Sequence, residues 1–194
     1  MEKLAIDIAL IPEKKIRDLA ITLNKDLVKQ DSKLVLGEYA VPHITLTQGV
    51  IDKKQINNID TLLKNIVPDY RKMNLVAEDI LIGPMSNSVW LKIRKTEELD
   101  KLHRQLNLEM KSYLSYKVDK SMFANPNDVE DKVLNWVKDF PAKSRFENYQ
   151  PHITLGFGKI ENPGFPVEFN ASKLTMYQLG NYCTCHTEIL SYNL

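Results

Sequence analysis

Two histidines in this sequence stand in the same local setting: Val41-Pro42-His43-Ile44-Thr45-Leu46-Thr47-Gln48-Gly49 and Gln150-Pro151-His152-Ile153-Thr154-Leu155-Gly156-Phe157-Gly158 agree at six of nine positions. Pro-His-Ile-Thr-Leu is repeated without a gap. Side chains alternate faces along a strand, so His43 and Thr45 point one way while Ile44 and Leu46 point the other; His152 and Thr154 separate from Ile153 and Leu155 in the same manner. Each copy therefore buries two aliphatic residues and displays an imidazole beside a hydroxyl, about 6.6 Å apart along the strand. Two such pairs suit phosphodiester chemistry. One imidazole can take a proton from an attacking water while the other gives one to the leaving oxygen, both near neutral pH. The threonine hydroxyls can donate to non-bridging phosphate oxygens as charge builds in an in-line transition state. The scheme calls for no metal and no cofactor.

The elements that must position these residues can be read around them. Each motif begins after a proline, which removes a ladder donor and places the motif at a strand start or on an edge. Leu4 to Ile11 reads as a buried strand closed by Pro12, with Asp7 its one discordant residue. Helical stripes follow at Ile16, Leu19, Ala20, Leu23 and Leu27, and at Ile56, Ile59, Leu62, Leu63 and Ile66. The first motif strand is expected over Tyr39–Gly49. Asn74–Ile82 and Ser88–Arg94 read as a hairpin joined through Gly83–Asn87. Thr96 caps a third helix, and a fourth follows Pro126 at a first-turn position, with Val129, Val133, Trp136 and Val137 on its buried side. Strands over 150–158, 172–180 and about 185–192 complete the chain. Strands and helices interleave without a strict βαβ repeat, so the fold class expected is mixed α+β.

Composition bounds the rest. A chain of 194 residues, 43% hydrophobic, is expected to form one globular domain over 1–194. Lys and Arg number 26 against 25 Asp and Glu, a balance that argues against tracking long DNA or RNA by its phosphates. No apolar run approaches a membrane span, and an acid early in the first strand argues against a signal core, so a cytoplasmic protein with no membrane partner is expected. The two cysteines, Cys183 and Cys185, are too few for a disulfide framework. With His186 they suggest a metal corner, but nothing else supplies zinc-ligand spacing, and no metal is expected.

The paired motifs His43-Ile44-Thr45-Leu46 and His152-Ile153-Thr154-Leu155 resemble the His-Xaa-Thr-Xaa signature of the 2H phosphoesterase superfamily, which includes RNA 2′,3′-cyclic phosphodiesterases formerly named 2′-5′ RNA ligases. The resemblance extends to the order of elements along the whole chain. It implies a bilobal α+β fold: two pseudo-symmetric lobes whose antiparallel sheets face a central cleft, with helices outside. It implies that His43 and His152 are the catalytic pair, with His43 as acid and His152 as base, and that Thr45 and Thr154 hold the phosphate. The expected function is metal-independent hydrolysis of a 2′,3′-cyclic phosphate or a 2′-5′ linkage in a nucleotide or short RNA, by a monomer. Two other readings use the same cleft: a nucleotide- or RNA-binding module without turnover, and RNA 2′-5′ end-joining.

Several further residues are candidates for holding such a substrate. Trp90, Lys92 and Arg94 share one face of their strand, where Trp90 could stack a base and the cations could meet phosphate. Tyr39 and Tyr149 precede the motifs and could flank a base, and Arg145 lies just upstream of the second motif. His103 reads as solvent-facing or interhelical.

Overall fold

The computed structural model describes residues 2–70, 73–83, 87–162 and 164–194. The apolar opening run is β1 (Lys3–Pro12), and the amphipathic stripe after it is α1 (Lys14–Val28). They are followed by β2 (Ile44–Asp52), α2 (Ile56–Ile66), β3 (Asn74–Ile82), β4 (Ser88–Ile93) and α3 (Glu97–Glu109). The remaining elements are α4 (Asp131–Lys143), β5 (His152–Phe157), β6 (Val167–Leu179) and β7 (Cys185–Asn193). Local chemistry explains several boundaries. The Thr96 hydroxyl accepts from the Leu99 amide at 3.2 Å, and Glu97, Glu98 and Asp100 in the first turn complement the positive end of α3. The Asp52 side chain accepts from the Lys54 amide and turns the chain from β2 into α2 through a short 3-10 turn.

Three elements have a boundary more than two residues from the one read in the sequence. The first motif strand runs over Ile44–Asp52 rather than Tyr39–Gly49, because Pro42 brings no ladder donor and Val50 exchanges backbone hydrogen bonds with Ser115 beyond Gly49. Pro126 opens a 3-10 turn, not the fourth helix; the Glu130 amide is taken by Asn181 Oδ1, and α4 starts at Asp131. β6 begins at Val167, where it gains β3 as a partner. The Gly83–Asn87 hairpin connection lies partly outside the described residues, at 84–86.

All seven strands join one antiparallel sheet in the order β2-β1-β6-β3-β4-β5, with β7 also on β6. β6 is shared: Val167–Asn170 pair with β3, and the stretch from Ala171 to Gln178 pairs with β1. Two four-stranded halves result, β7-β6-β1-β2 and β6-β3-β4-β5, each ending on a motif strand. The α+β class and its paired half-sheets are those the motifs imply. The helices pack crosswise, α1 against β5 and α3 against β2, so each motif strand is backed by the helix of the other half. The main core lies between them, with Ile16, Ala20 and Leu27 of α1 and Leu99, Leu102 and Leu106 of α3 meeting Ile44, Leu46, Ile153 and Leu155. A second cluster, Val118, Phe123, Val133 and Val137 with Ala5, Val50 and Leu179, covers the other side. No helix among the described residues is long and apolar enough to cross a membrane.

Candidate active site

The two motifs are built alike beyond their residue types. In each, the backbone carbonyl two residues before the histidine accepts from the ring: His43 Nδ1 lies 2.7 Å from Val41 O, and His152 Nδ1 lies 2.7 Å from Gln150 O. A carbonyl can only accept, so Nδ1 carries the proton in both rings and each neutral imidazole keeps its lone pair on Nε2. In each motif strand the register slips at the leucine of the motif. Ile8 and Ala9 face Thr47 and Thr45, skipping Leu46, while Val89 and Trp90 face Gly156 and Thr154, skipping Leu155. Such a bulge re-aims neighbouring side chains and takes a carbonyl out of the ladder. Here the helices supply the missing donors. His103 Nδ1 (2.7 Å) and Asn107 Nδ2 (3.0 Å) of α3 reach Leu46 O, and Asn24 Nδ2 of α1 reaches Leu155 O at 2.7 Å.

Ile44, Leu46, Ile153 and Leu155 are buried, as the alternation requires. His43, Thr45, His152 and Thr154 line a single cavity of about 420 Å³. The motif strands stand at opposite ends of the sheet order, so only the bending of the sheet brings them together.

The two ends of the cavity differ. At the first motif, Thr45 Oγ1 donates to Asp7 Oδ2 at 2.6 Å, and the same oxygen is 3.8 Å from His43 Nε2. Asp7 is fully buried, and burial pushes its carboxyl up to about 7 against the hydrogen bond from Thr45. At the second motif, Trp90 of β4 stacks on His152 with centroids 3.8 Å apart and planes 11° apart. Burial lowers the proton affinity of both imidazoles, offset in part by the backbone hydrogen bonds, and takes His152 to about 4. The rest of the wall is largely apolar, including Leu34, Leu36, Trp136, Phe140, Phe157 and Tyr182. Lys143 is its one Lys or Arg among the described residues, and it pairs with Asp139 at 2.8 Å.

Other candidates fall elsewhere. Lys92 and Arg94 share the face of Trp90 but are held by Glu78 on β3, at 3.1 and 2.7 Å, and do not line the cavity. Arg145 lies over the Phe146 ring, 5.0 Å from its centroid, outside the wall. Tyr39 is 63% exposed and stacks on His186 away from the cavity. Tyr149 does line it, yet is buried and stacked on His103 at 3.7 Å, so its face is covered. His103 is not solvent-facing: wholly buried, it donates to Leu46 O and accepts at 2.9 Å from the Phe146 amide, which opens a 3-10 turn over Phe146–Asn148. Reading the sequence alone misses Asn24, Asn107 and the cavity face of α4. Asp7 is visible there as a charged residue in an apolar run, without a stated use.

No protein-family model matches this chain. A protein of Staphylococcus epidermidis named "Putative phosphoesterase SERP0604" is 29% identical over 106 residues, 54% of this chain and 59% of that protein. The chain thus matches little more than half the length of this curated relative. Among solved structures, E. coli LigT in apo form superposes with a TM-score of 0.61 at 16% identity, over 100% of this chain and 99% of LigT. LigT complexed with 3′-AMP gives 0.58 at 17% identity and the same coverage. TT0787 of Thermus thermophilus gives 0.61 at 13% identity, over 98% of each chain. The chain thus shares its fold with LigT and TT0787, and its two His-Xaa-Thr-Xaa motifs resemble those of the 2H phosphoesterase superfamily.

Proposed function

We propose that the protein hydrolyses a 2′,3′-cyclic phosphate or a 2′-5′ phosphodiester of a nucleotide or short RNA, using His43 and His152 as a metal-independent acid–base pair. The observation that carries this reading is that both rings are tied through Nδ1–H to their own backbone, leaving two Nε2 atoms free for proton transfer in one cavity. His152, neutral, takes the proton from water as the water oxygen bonds to phosphorus. His43 gives a proton to the ribose oxygen as its bond to phosphorus breaks. The proton that His43 must hold is favoured once an anionic diester lies beside it. Thr154 would donate to a non-bridging oxygen, and Thr45 would do so once its hydroxyl turns from Asp7 to the phosphate.

The near-neutral wall also bears on the substrate. A diester brings one negative charge, which one imidazolium balances; a polyphosphate brings several, and the cavity offers only Lys143, already paired with Asp139. Its apolar remainder fits a base. The similarity to LigT, crystallised with 3′-AMP, supports a nucleotide as occupant.

Chelator-treated protein assayed against 2′,3′-cyclic nucleotides, 2′-5′ oligoadenylates and cyclic dinucleotides is expected to cleave at least one class, with a bell-shaped pH profile. His43→Ala and His152→Ala are each expected to lose about a hundredfold or more while keeping the native circular dichroism spectrum. Full activity in either variant, or tight nucleotide binding with no turnover, would overturn the reading.

A further inference from the structure

The metal corner suggested by Cys183, Cys185 and His186 does not form around His186, which turns outward to Asn125 and Tyr39. Cys185 instead points inward, fully buried, to the discordant acid of β1. Asp7, His43 and Cys185 come from three separate segments, yet offer a carboxylate oxygen, an imidazole nitrogen and a sulfur that all lie within 4.8 Å of one another. We propose that these three residues form a divalent-cation site of zinc-like preference, and that an ion bound there silences the enzyme by occupying the His43 Nε2 lone pair.

Four observations meet at this point. Asp7 Oδ1 is buried without a hydrogen-bond partner, although its neighbour Oδ2 has Thr45. An orphaned buried oxygen costs about 1–3 kcal/mol, so its presence in an otherwise apolar strand calls for a ligand or a role. The His43 ring is set as metal-ligand histidines are, with Nδ1–H on a carbonyl and Nε2 free. The Nε2 to Oδ2 separation, 3.8 Å, is about half an ångström wider than the roughly 3.3 Å between nitrogen and oxygen ligands of a tetrahedral zinc, a gap that a small turn of either side chain closes. Finally, the Cys185 backbone holds the motif in place: its carbonyl accepts from the Val41 amide at 3.3 Å, and Val41 O in turn holds His43. Sulfur and imidazole together select zinc or a similarly soft ion over magnesium or calcium, which take oxygen ligands.

On binding, the thiol proton leaves to solvent as the sulfur–metal bond forms, Nε2 and a carboxylate oxygen complete three protein ligands, and the fourth position falls to water or a phosphate oxygen. His43 can then neither hold nor give a proton. The silencing half of the proposal rests on the diesterase reading; the metal site does not.

The test uses the whole chain after chelator treatment and dialysis. Cobalt(II) is expected to bind at one ion per chain with a thiolate-to-cobalt charge-transfer band, and zinc to displace it. Cys185→Ser and Cys185→Ala should both lose the band, whereas Cys183→Ser and His186→Ala should keep it. In hydrolysis assays zinc should inhibit the wild type, chelator should restore it, and Cys185→Ser should match wild-type activity without metal while needing at least tenfold more zinc. A band that is absent, or that survives in both Cys185 variants with native circular dichroism, overturns the site whatever the activity. Equal zinc sensitivity in Cys185→Ser overturns the silencing. If the band behaves as expected but no diester is cleaved, the site stands and the diesterase reading falls.

Discussion

Trp90 covers one face of the His152 ring, and this contact replaces the base-stacking use that its place on β4 suggests. A ring packed flat on an indole cannot swing, so Trp90 fixes where Nε2 points. Trp90→Leu is therefore expected to lower kcat about tenfold with little change in KM, and Trp90→Phe to recover most of it; steady-state kinetics on the cleaved diester checks this. The two threonines should separate as well. Thr45 shares its hydroxyl with Asp7, whereas Thr154 faces the cavity without such a partner among the described residues. Substituting valine at 154 removes a donor, but at 45 it also strips the buried Asp7 carboxyl of the one side-chain hydrogen bond it has among the described residues. Thr45→Val is thus expected to cost stability as well as rate, and Thr154→Val chiefly rate, as urea denaturation beside kinetics would show. Lys92 and Arg94 carry the opposite expectation. Both are held by Glu78 at exposed positions, so replacing either with Ala should leave activity within about twofold.

At the scale of elements, each motif strand depends on a buried asparagine of the helix behind it. Asn24 ties Leu155 O to Leu34 O and to the Leu36 amide, joining the second motif to a loop that lines the cavity. Asn107, with His103, does the same service for Leu46 O. The bulges that aim His and Thr at the cavity thus exist only with their carbonyls satisfied. Gly156 completes the second one: its φ of +145° is a conformation that side chains disfavour, and a Cβ there would sit 2.9 Å from Ser32 Oγ. Asn24→Leu is expected to destabilise the fold by about 1–3 kcal/mol, the cost of an unpaired buried carbonyl. Asn107→Leu is expected to cost a similar amount, because the buried Thr47 hydroxyl loses its acceptor while His103 still serves Leu46 O; urea denaturation measures both. Activity should fall in both, although neither side chain lines the cavity. These asparagines were not legible in the sequence, where a polar residue on a helix reads as solvated. Nothing in the helix announces that a leucine carbonyl, 131 positions away in the case of Asn24, will need a donor.

Across the whole molecule, His103 couples the halves. Its Nδ1–H holds the first motif, its Nε2 accepts from Phe146 on the approach to the second, and its face carries Tyr149. Burial disfavours a second proton on this ring, and that proton would also set Nε2–H against the Phe146 amide, so its proton affinity falls to about 4. The unfolded chain takes that proton near the ordinary value of 6.5, so this contribution is complete above pH 6.5 and is lost as the pH falls toward 4. About 3 kcal/mol is at stake by that arithmetic. Urea midpoints from pH 4 to 7 should rise more steeply for the wild type than for His103→Gln, and parallel curves would refute the assignment. The amino-acid sequence by itself determined the repeated motif, the face each motif residue occupies, the strand and helix stripes and the α+β class, because those follow from local periodicity and residue chemistry. It also carried the alternation of Trp90, Lys92 and Arg94, but not which of them meets the cavity. That choice belongs to Glu78 on a neighbouring strand. Tertiary structure alone decided that β6 is shared, that the helices cross to back each other's motif strand, and that Asp7, His43 and Cys185 converge. Such facts depend on strand register and on contacts between residues far apart in the chain, which no local pattern encodes.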